Sequence, residues 1–364
     1  MVIYEHMREI PELLDKKLIT RRKHPTLPLW VHNYTAGAQA LPIKDWTPAL
    51  KDCRGLILDY HNEVIGRPFA KFWNYEQVLD QIPEGPFTVT EKLDGSLGIV
   101  CNYRGHLVVA TRGSFESEQA KFAYKWLTTK TNCDGTLAWI PAEGLTYLFE
   151  ILYPENRIVV DYGDTRELRL LAVMEANGQD SLSTFHANKW FKKARSFASG
   201  VLFSQDAFNQ DRTFAPFETP GEEGYVICWY GGFRAKVKFA EYCRLHRLIT
   251  QVSTRTIWEM LRAGEGEKIK EMTERVPENF KSWVYDTLNN LIKDYNDIRA
   301  QADMCFAERP GGYEDRGKYA AWVKTQPANF GLLFALYDGK PIEDRIWKMV
   351  EPIWATPFHG EAEG

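Results

Sequence analysis

The sequence lacks the patterns of zinc-binding, disulfide-bonded and membrane-spanning chains. Its six cysteines include no Cys-x-x-Cys pair, so neither a zinc site nor a disulfide framework is expected. No stretch reaches the ~18 consecutive apolar residues that a membrane helix needs. The first ten residues carry Glu5, Arg8 and Glu9, where a signal peptide would be apolar. We therefore expect a cytoplasmic protein.

An excess of positive charge is also missing. The chain has 45 lysines and arginines against 49 aspartates and glutamates, for a net charge of −4. This balance argues against a chain coated with basic charge for non-specific nucleic-acid binding, although a local basic groove would serve a nucleic-acid enzyme. No complete Walker-type G-x-x-x-x-G-K-[ST] sequence occurs, so a nucleotide would need another kind of pocket.

The 364 residues predict two domains, one with a β-like and one with a helical sequence pattern. Up to Tyr242, short β-like runs alternate with Gly, Pro and Asp turns, too closely spaced for regular βαβ crossovers. Helices are expected at Pro11–Lys23 and Ser117–Thr128. After Tyr242 the pattern becomes helical, with an apolar stripe from Val284 to Tyr295. We predict an α+β domain of antiparallel sheets flanked by helices over residues 1–242, and an all-α domain over residues 243–364.

The sharpest local feature is the run from Glu91 to Ser96, in which Lys92 ends a predicted strand and Asp94-Gly95 follows as a turn signal. Such a turn would project one amine into a cleft. A lysine acts as a covalent nucleophile only when its amine is neutral, so nearby cations or burial must lower its pKa. The alternative is an ordinary surface lysine before a hairpin.

Lys236 and Lys238 alternate along a predicted strand, which places both ammonium groups on one face. Two parallel cations suit a triphosphate and would lower the pKa of a third lysine. The alternative is an edge strand that carries lysines against aggregation. Arg54, Lys71 and Arg112 add further cations near strand ends, of the kinds that bind phosphates. The basic run from Arg21 to His24 is interpreted as a solvated helix end, with contact to RNA as the alternative.

Two glutamates are further candidates for the site. Glu223 opens the strand that precedes the lysine pair, where it would suit Mg²⁺, a cation that prefers oxygen ligands. A solvated acidic turn is the alternative. Glu150 lies within the apolar run from Tyr147 to Leu152, and a charged residue there needs a partner or a ligand unless it faces outward.

In this order, these residues resemble the covalent nucleotidyltransferase superfamily of ligases and capping enzymes. Lys92–Gly95 is similar to its nucleophile motif, and the later motifs correspond to Phe149-Glu150, Glu223–Tyr225 and Lys236–Lys238. Further segments resemble the bacteriophage RNA ligase 1 family of tRNA-repair ligases, over nearly the whole chain: Cys53–Gly55, Arg67–Asn74, Gly113-Ser114, Ser117–Gln119, Asn156–Val159, Phe330–Leu332 and Leu336–Gly339.

The resemblance implies a nucleotidyltransferase domain that uses ATP, with AMP carried on Lys92. It implies that Arg54, Lys71, Lys236 and Lys238 contact phosphates or ribose. Glu150 would hold the ribose hydroxyl, Tyr242 would line the pocket, and Glu223 would face Mg²⁺.

Three positions depart from the family pattern. Arg112 replaces a lysine, His32 stands where a nucleotide-contacting tyrosine is usual, and a later acidic metal-site residue has only Glu265 or Glu267 as candidates.

The RNA substrate implied by the family is a single strand or a nicked tRNA anticodon loop, with the helical domain as its recogniser and the protein as a monomer. DNA ligases and capping enzymes compete with this interpretation, but they typically carry a β-barrel where this sequence turns helical. A non-catalytic RNA-binding protein on a ligase fold is the second competitor. The joint presence of Lys92, Glu150, Glu223 and the lysine pair argues against it.

The two interpretations of the lysine pair make different predictions. If Lys236 and Lys238 both face phosphates, Lys→Ala at either position should slow self-adenylylation by about 10²–10³-fold, since each is an oriented charge in a catalytic site. Lys→Arg should rescue poorly, because a guanidinium fork does not replace a compact ammonium. Transfer of label from α-labelled ATP to the protein measures the effect. Near-normal labelling of both alanine variants would favour the edge-strand alternative.

Overall fold

The computed structural model describes residues 5–133, 135–180, 191–197, 219–274, 276, 278–311 and 314–357. The chain divides into two compact units that separate between Cys243 and Arg244. Among the described residues, no helix has the length and apolar character needed to cross a membrane.

The first unit begins with a four-stranded antiparallel sheet in chain order. Its helices are α1 (Ile10–Asp15), α2 (Ala36–Gln39) and α3 (Pro48–Asp52), and its strands are β1 (Ile19–Lys23), β2 (Leu29–Tyr34), β3 (Arg54–Asp59) and β4 (Val64–Gly66). The Thr47 side chain accepts from the Leu50 amide and Pro48 follows it, which starts α3. Apolar residues of α1 and α3 pack against Leu56 and Leu58 of β3.

The predicted helix Pro11–Lys23 is wrong in its second half. The helix ends at Asp15, and Lys17 takes a left-handed backbone conformation with φ of 56°. The chain then enters β1, which pairs antiparallel with β2 from Ile19 to Lys23. Pairing across the sheet overrides local helix propensity here. The basic run from Arg21 therefore lies on an exposed edge strand rather than at a helix end.

Two further sheets complete the first unit, with strand orders β10-β9-β8-β6-β7 and β11-β5-β12-β13. Their pairings are antiparallel except for the short β9–β10 contact. The remaining elements are β5 (Phe87–Lys92), β6 (Ser96–Tyr103), β7 (His106–Ala110), α4 (Glu118–Thr128), β8 (Leu145–Leu152), β9 (Glu167–Glu175), β10 (Lys192–Lys193), β11 (Ser196–Phe197), β12 (Gly224–Trp229) and β13 (Arg234–Lys238). The predicted antiparallel class is confirmed.

Short 3₁₀ helices connect these elements at Glu5–Glu9, Ile43–Asp45, Tyr75–Gln77, Leu79–Gln81 and Pro154–Asn156.

The second unit is helical, as predicted. The division between the units falls inside α5 (Ala240–Gln251), and the later helices are α6 (Thr254–Arg262), α7 (Gly266–Met272), α8 (Glu278–Ala307), α9 (Arg316–Val323), α10 (Phe330–Tyr337) and α11 (Glu343–Met349). Of the predicted apolar stripe on α8, Val284 and Leu291 are buried, whereas Ile292 is 37% exposed. Farther along α8, Ala302 packs against α10 and α11.

One glycine fixes the place where three strands meet. Gly224 begins β12 and lies opposite Lys92 of β5 on one side and Lys238 of β13 on the other. Its φ of +147° is a conformation that side chains rarely adopt, and a Cβ there would collide with the carbonyl oxygen of Val237. Glycine is therefore required for β12 to start between the two lysines.

Because the backbone at Val237 lies so close to Gly224, any side chain at this position should strongly destabilise the fold. Gly224→Ala should lower the free energy of unfolding by about 3 kcal/mol or more, because it adds a backbone collision to the conformational strain. Gly231→Ala is the matched control: its φ is +101° but the space around it is open, so it should cost only about 1–2 kcal/mol. Chemical denaturation measures both, and equal losses would contradict the steric argument.

Candidate active site

The site is organised around one buried carboxylate that two lysines share. Glu223 is 2% exposed, and its Oε1 lies 2.7 Å from Nζ of Lys92 and 2.9 Å from Nζ of Lys238. The arrangement follows from the strand register, because Lys92 ends β5, Lys238 ends β13 and Glu223 immediately precedes Gly224 between them. The structure thus brings together three residues that the sequence analysis selected separately.

The two lysines hold Glu223 in its charged form. Burial by itself raises the pKa of this carboxyl, but the ammonium groups of Lys92 and Lys238 outweigh burial and lower the pKa below its usual value. The alternative interpretation, in which Glu223 belongs to a solvated acidic turn, does not hold because its side chain is buried.

Lys92 behaves differently from the expectation that neighbouring cations lower its pKa. Burial lowers the pKa of Lys92, but the carboxylates of Glu223, Glu150 and Asp94 together outweigh burial, so the pKa lies above its ordinary value. The neighbouring carboxylates therefore hold the amine as an ammonium. The prediction failed because it counted the downstream lysines and not the carboxylates that the fold places closer.

The lysine with a depressed pKa is Lys236. Burial and the charges of Lys92, Lys238, Arg54 and Lys71 lower its pKa to about 7. These five side chains therefore form one group of mutually repelling cations, which we call the cation cluster. Such a group favours a polyanion, whose phosphates would relieve the repulsion.

Glu150 faces the turn that follows Lys92 and is not an outward-facing strand residue. Its Oε1 accepts a 3.0 Å hydrogen bond from the amide of Gly95. Burial, together with Glu223 and Asp94, raises the pKa of Glu150 to about 8, against the opposing charges of Lys92 and Arg54. Three carboxyl groups thus crowd around one lysine.

Asp94 is a site residue to which the sequence analysis assigned no role. It is 3% exposed, and its Oδ2 accepts from the amides of Val159 and Val160 at 2.8 and 2.9 Å. Its Oδ1 accepts from the hydroxyl of Tyr242 at 2.7 Å. Burial and the charge of Glu223 outweigh these hydrogen bonds, so the pKa of Asp94 lies above its usual value. The Asp-Gly turn after Lys92 was the signal that pointed to this position.

Tyr242, predicted to line the pocket, lies in the first turn of α5. Besides its hydrogen bond to Asp94, its ring lies under the ammonium of Lys238 at 5.0 Å. Tyr242 thus contacts both the turn after Lys92 and the end of β13.

Aromatic rings support the remaining cations. The ring of Phe72 lies 6.0 Å from the guanidinium of Arg54 and 5.9 Å from Nζ of Lys236. The guanidinium of Arg112 lies 5.5 Å from the ring of Tyr34 and is 3.4 Å from its hydroxyl. Arg112 therefore supplies a cation beside Tyr34.

His32 is placed less favourably for a ligand. Its side chain is 2% exposed, and its Nδ1 lies 3.3 Å from the carbonyl oxygen of Leu56 on the neighbouring strand. Burial lowers the pKa of the ring to about 4, so it is neutral at pH 7. This geometry does not support the predicted contact with a nucleotide.

The carboxylates around Lys92 have the donor chemistry that a divalent cation prefers, but by themselves they do not form a complete metal site. They offer hard oxygen donors, and a cation would stabilise the charged form of Glu150, whose pKa is raised by burial and, to a smaller extent, by the charges of Glu223 and Asp94. The other two acidic candidates belong to the second unit, where Glu265 pairs with Lys268 at 2.6 Å and Glu267 is exposed in the first turn of α7. Across the described parts of the chain, no group of three or more His, Cys, Asp or Glu side chains is arranged to hold a metal.

Comparisons with known proteins give a consistent family. A family model described as RNA ligase matches residues 52–242. "Putative RNA ligase" of Thermovibrio ammonificans is 28% identical over 134 residues, which cover 35% of each chain. "Putative bifunctional polynucleotide kinase/RNA ligase" of Autographa californica nuclear polyhedrosis virus is 29% identical over 148 residues, which cover 34% of this chain and 21% of that protein. The matches thus span about a third or less of the length of these curated relatives. A solved archaeal ATP-dependent RNA ligase is 13% identical, with 80% of this chain and 79% of that chain covered and a TM-score of 0.43.

The depressed pKa of Lys236 predicts a pH-dependent stability. Between pH 7 and pH 10.5 or so, the folded protein binds fewer protons at Lys236 than the unfolded chain does. The free energy of unfolding therefore rises with pH over this range and falls as the pH is lowered toward 7. Lys236→Met should be more stable than the parent by roughly 1–3 kcal/mol at pH 7, and the difference should vanish near pH 10.5. Denaturation at several pH values tests this, with Lys44→Met at an exposed position as the control. A difference that does not change with pH would contradict the assignment.

Proposed function

Because the chain belongs to the RNA ligase family, we propose that it joins an RNA 5′-phosphate to a 3′-hydroxyl with ATP, through a covalent lysyl–AMP on Lys92. The resemblance to bacteriophage RNA ligases seen in the sequence is confirmed at the level of the family. The observation that carries the proposal is the position of Lys92, which ends a strand, lies among buried carboxylates and belongs to the cation cluster.

The proposed cycle consists of three phosphoryl displacements. The Lys92 amine forms a bond to the α-phosphorus of ATP, and pyrophosphate leaves. A 5′-phosphate oxygen of RNA then attacks the lysyl–AMP, which releases Lys92 and leaves AMP on the RNA end. The 3′-hydroxyl attacks that 5′-phosphate, and AMP leaves. These steps need positioning and charge neutralisation more than strong acid–base catalysis.

The first step requires that Lys92 lose its proton. Glu223 is 2.7 Å away, and its negative charge helps to keep the amine protonated before ATP binds. Mg²⁺, when bound at these carboxylates, would supply positive charge that weakens their hold on the Lys92 proton and stabilises charge on phosphate oxygens. Glu223 would face this metal.

The cation cluster would bind the triphosphate. Lys236 and Lys238 project from one strand, and Arg54 and Lys71 add charge that acts on the same place. Arg112 would extend this surface at Tyr34. Glu150 would accept from a ribose hydroxyl, and the raised pKa of its carboxyl also allows it to donate.

Damaged tRNA is the proposed substrate class, with the helical second unit as its recogniser and the cytoplasm as the place of action. A non-catalytic RNA-binding protein is the competing function. The paired Lys92 and Glu223 argue against it, because a chain without catalytic function has no need to hold a nucleophile between buried carboxylates.

The covalent step gives a direct prediction. Incubation with ATP and Mg²⁺ should place AMP on the peptide that contains Lys92, as detected by mass spectrometry after denaturation. Labelled GTP should give no adduct, which separates a ligase from a capping enzyme. Recovery of AMP on another lysine would refute the assignment.

Lys92→Ala tests the same step by removing the proposed nucleophile. It should form no adduct but still seal RNA that already carries a 5′-adenylyl group, because that reaction no longer needs the nucleophile.

Substrate choice is proposed to depend on the second unit. A chain that ends at Gln251 keeps α5 and Tyr242 intact and removes the later helices. We expect it to lose preference for a nicked tRNA stem-loop over an unstructured oligonucleotide while self-adenylylation survives at least in part. Circular dichroism controls for folding. An unchanged preference would place recognition in the first unit, and loss of adenylylation in a folded chain would implicate Glu265 and Glu267.

A further inference from the structure

Three aromatic rings surround the ammonium of Lys71. Its Nζ lies 4.8 Å from the ring centroid of Trp46, 5.0 Å from that of Tyr34 and 5.6 Å from that of Trp73. The rings meet the ammonium from different directions, because Trp46 stands at 83° to Tyr34 and at 88° to Trp73. Each distance is within the ~6 Å range of a cation–π interaction, so the three rings form a cage.

The cage is held by the core of the first unit. Trp46 and Tyr34 are each 4% exposed and belong to the core that packs α1 and α3 against β3. The indole N–H of Trp46 lies 3.4 Å from the carbonyl oxygen of Leu41. The backbone amide of Lys71 donates to the carbonyl of Lys51 at 2.8 Å. Both the rings and the lysine backbone are therefore fixed.

Aromatic rings can orient a lysine ammonium without adding the negative charge that a carboxylate brings. Lys92 and Lys238 are bound to Glu223, whereas the ion pairs among the described residues do not include Lys71. The face of an aromatic ring attracts an ammonium without adding net negative charge. A carboxylate at the same place would occupy the ammonium and repel an incoming phosphate. The cage therefore orients Lys71 and leaves its charge available to an anion.

Lys71 also acts at the proposed phosphate site. Its charge, together with those of Arg54, Lys92 and Lys238, acts on Lys236, which places the caged ammonium in the cation cluster. Trp46 does not belong to that cluster and contacts it at Lys71.

We propose that Trp46 is a positioning residue for polyphosphate binding: with Tyr34 and Trp73 it holds the Lys71 ammonium toward the cation cluster and so sets the affinity for the triphosphate of ATP. The inference rests on the proposed function for the identity of the nucleotide, and it adds the element that orients one of its phosphate-binding cations.

Site-specific fluorination of Trp46 tests the cage with little change in shape. Each added fluorine withdraws electron density from the ring face and weakens its attraction for an ammonium. Mono- to tetrafluorotryptophan at position 46 should weaken binding of inorganic triphosphate progressively, by about 3-fold to 30-fold at the end of the series. Isothermal titration calorimetry measures the dissociation constants.

Two controls separate this effect from a structural one. Trp126 lies 4.3 Å from Nζ of Lys130 outside the cage, and the same series at position 126 should leave triphosphate binding unchanged. In a Lys71→Ala parent, the series at position 46 should have no effect, whereas a role of Trp46 in folding alone would persist.

The outcomes distinguish the cage from the proposed function. Equal affinities across the position 46 series, or the same trend in the Lys71→Ala parent, would overturn the cage. Absence of triphosphate binding by the unsubstituted protein would also overturn it. Failure of the proposed function appears separately, as a protein that forms no lysyl–AMP with ATP and Mg²⁺ while the triphosphate titrations still report on Trp46.

Discussion

The ion pairs of Glu223 with Lys92 and Lys238 constrain the rest of the site. A buried carboxylate is costly to desolvate, and only close opposite charges make it tolerable. Those charges arrive because β5, β12 and β13 place their ends side by side, and Gly224 lets β12 begin in a gap too narrow for any side chain. A register shift of one residue would turn the lysines to the other face of the sheet.

The turn after Lys92 is secured by residues from distant parts of the chain. Asp94 accepts from the amides of Val159 and Val160 and from the hydroxyl of Tyr242, and Glu150 accepts from the amide of Gly95. Hydrogen bonds therefore join the segment near Val159 and the start of α5 to the nucleophile motif. This explains why separate stretches of sequence resemble one family together.

The site holds its lysines in two ways. Glu223 forms ion pairs with Lys92 and Lys238, while aromatic rings surround Lys71 without adding negative charge. The result is a group of cations fixed before any phosphate arrives. Such preorganisation is useful in phosphoryl transfer, because charges already in position need no rearrangement during the reaction.

The sequence by itself determined the elements whose signals are local. The alternation of Lys236 and Lys238, the strand–turn pattern at Lys92 and the change to helical periodicity after Tyr242 each depend on neighbouring residues, and the fold class followed from them. Tertiary structure decided what depends on contacts across the sheets. The strand after Asp15 replaced a predicted helix because β1 pairs with β2. The pKa of Lys92 is raised because Glu150 and Glu223, distant in sequence, surround it. Hydrophobic periodicity records which face of an element is buried, but not which charges another strand brings to it.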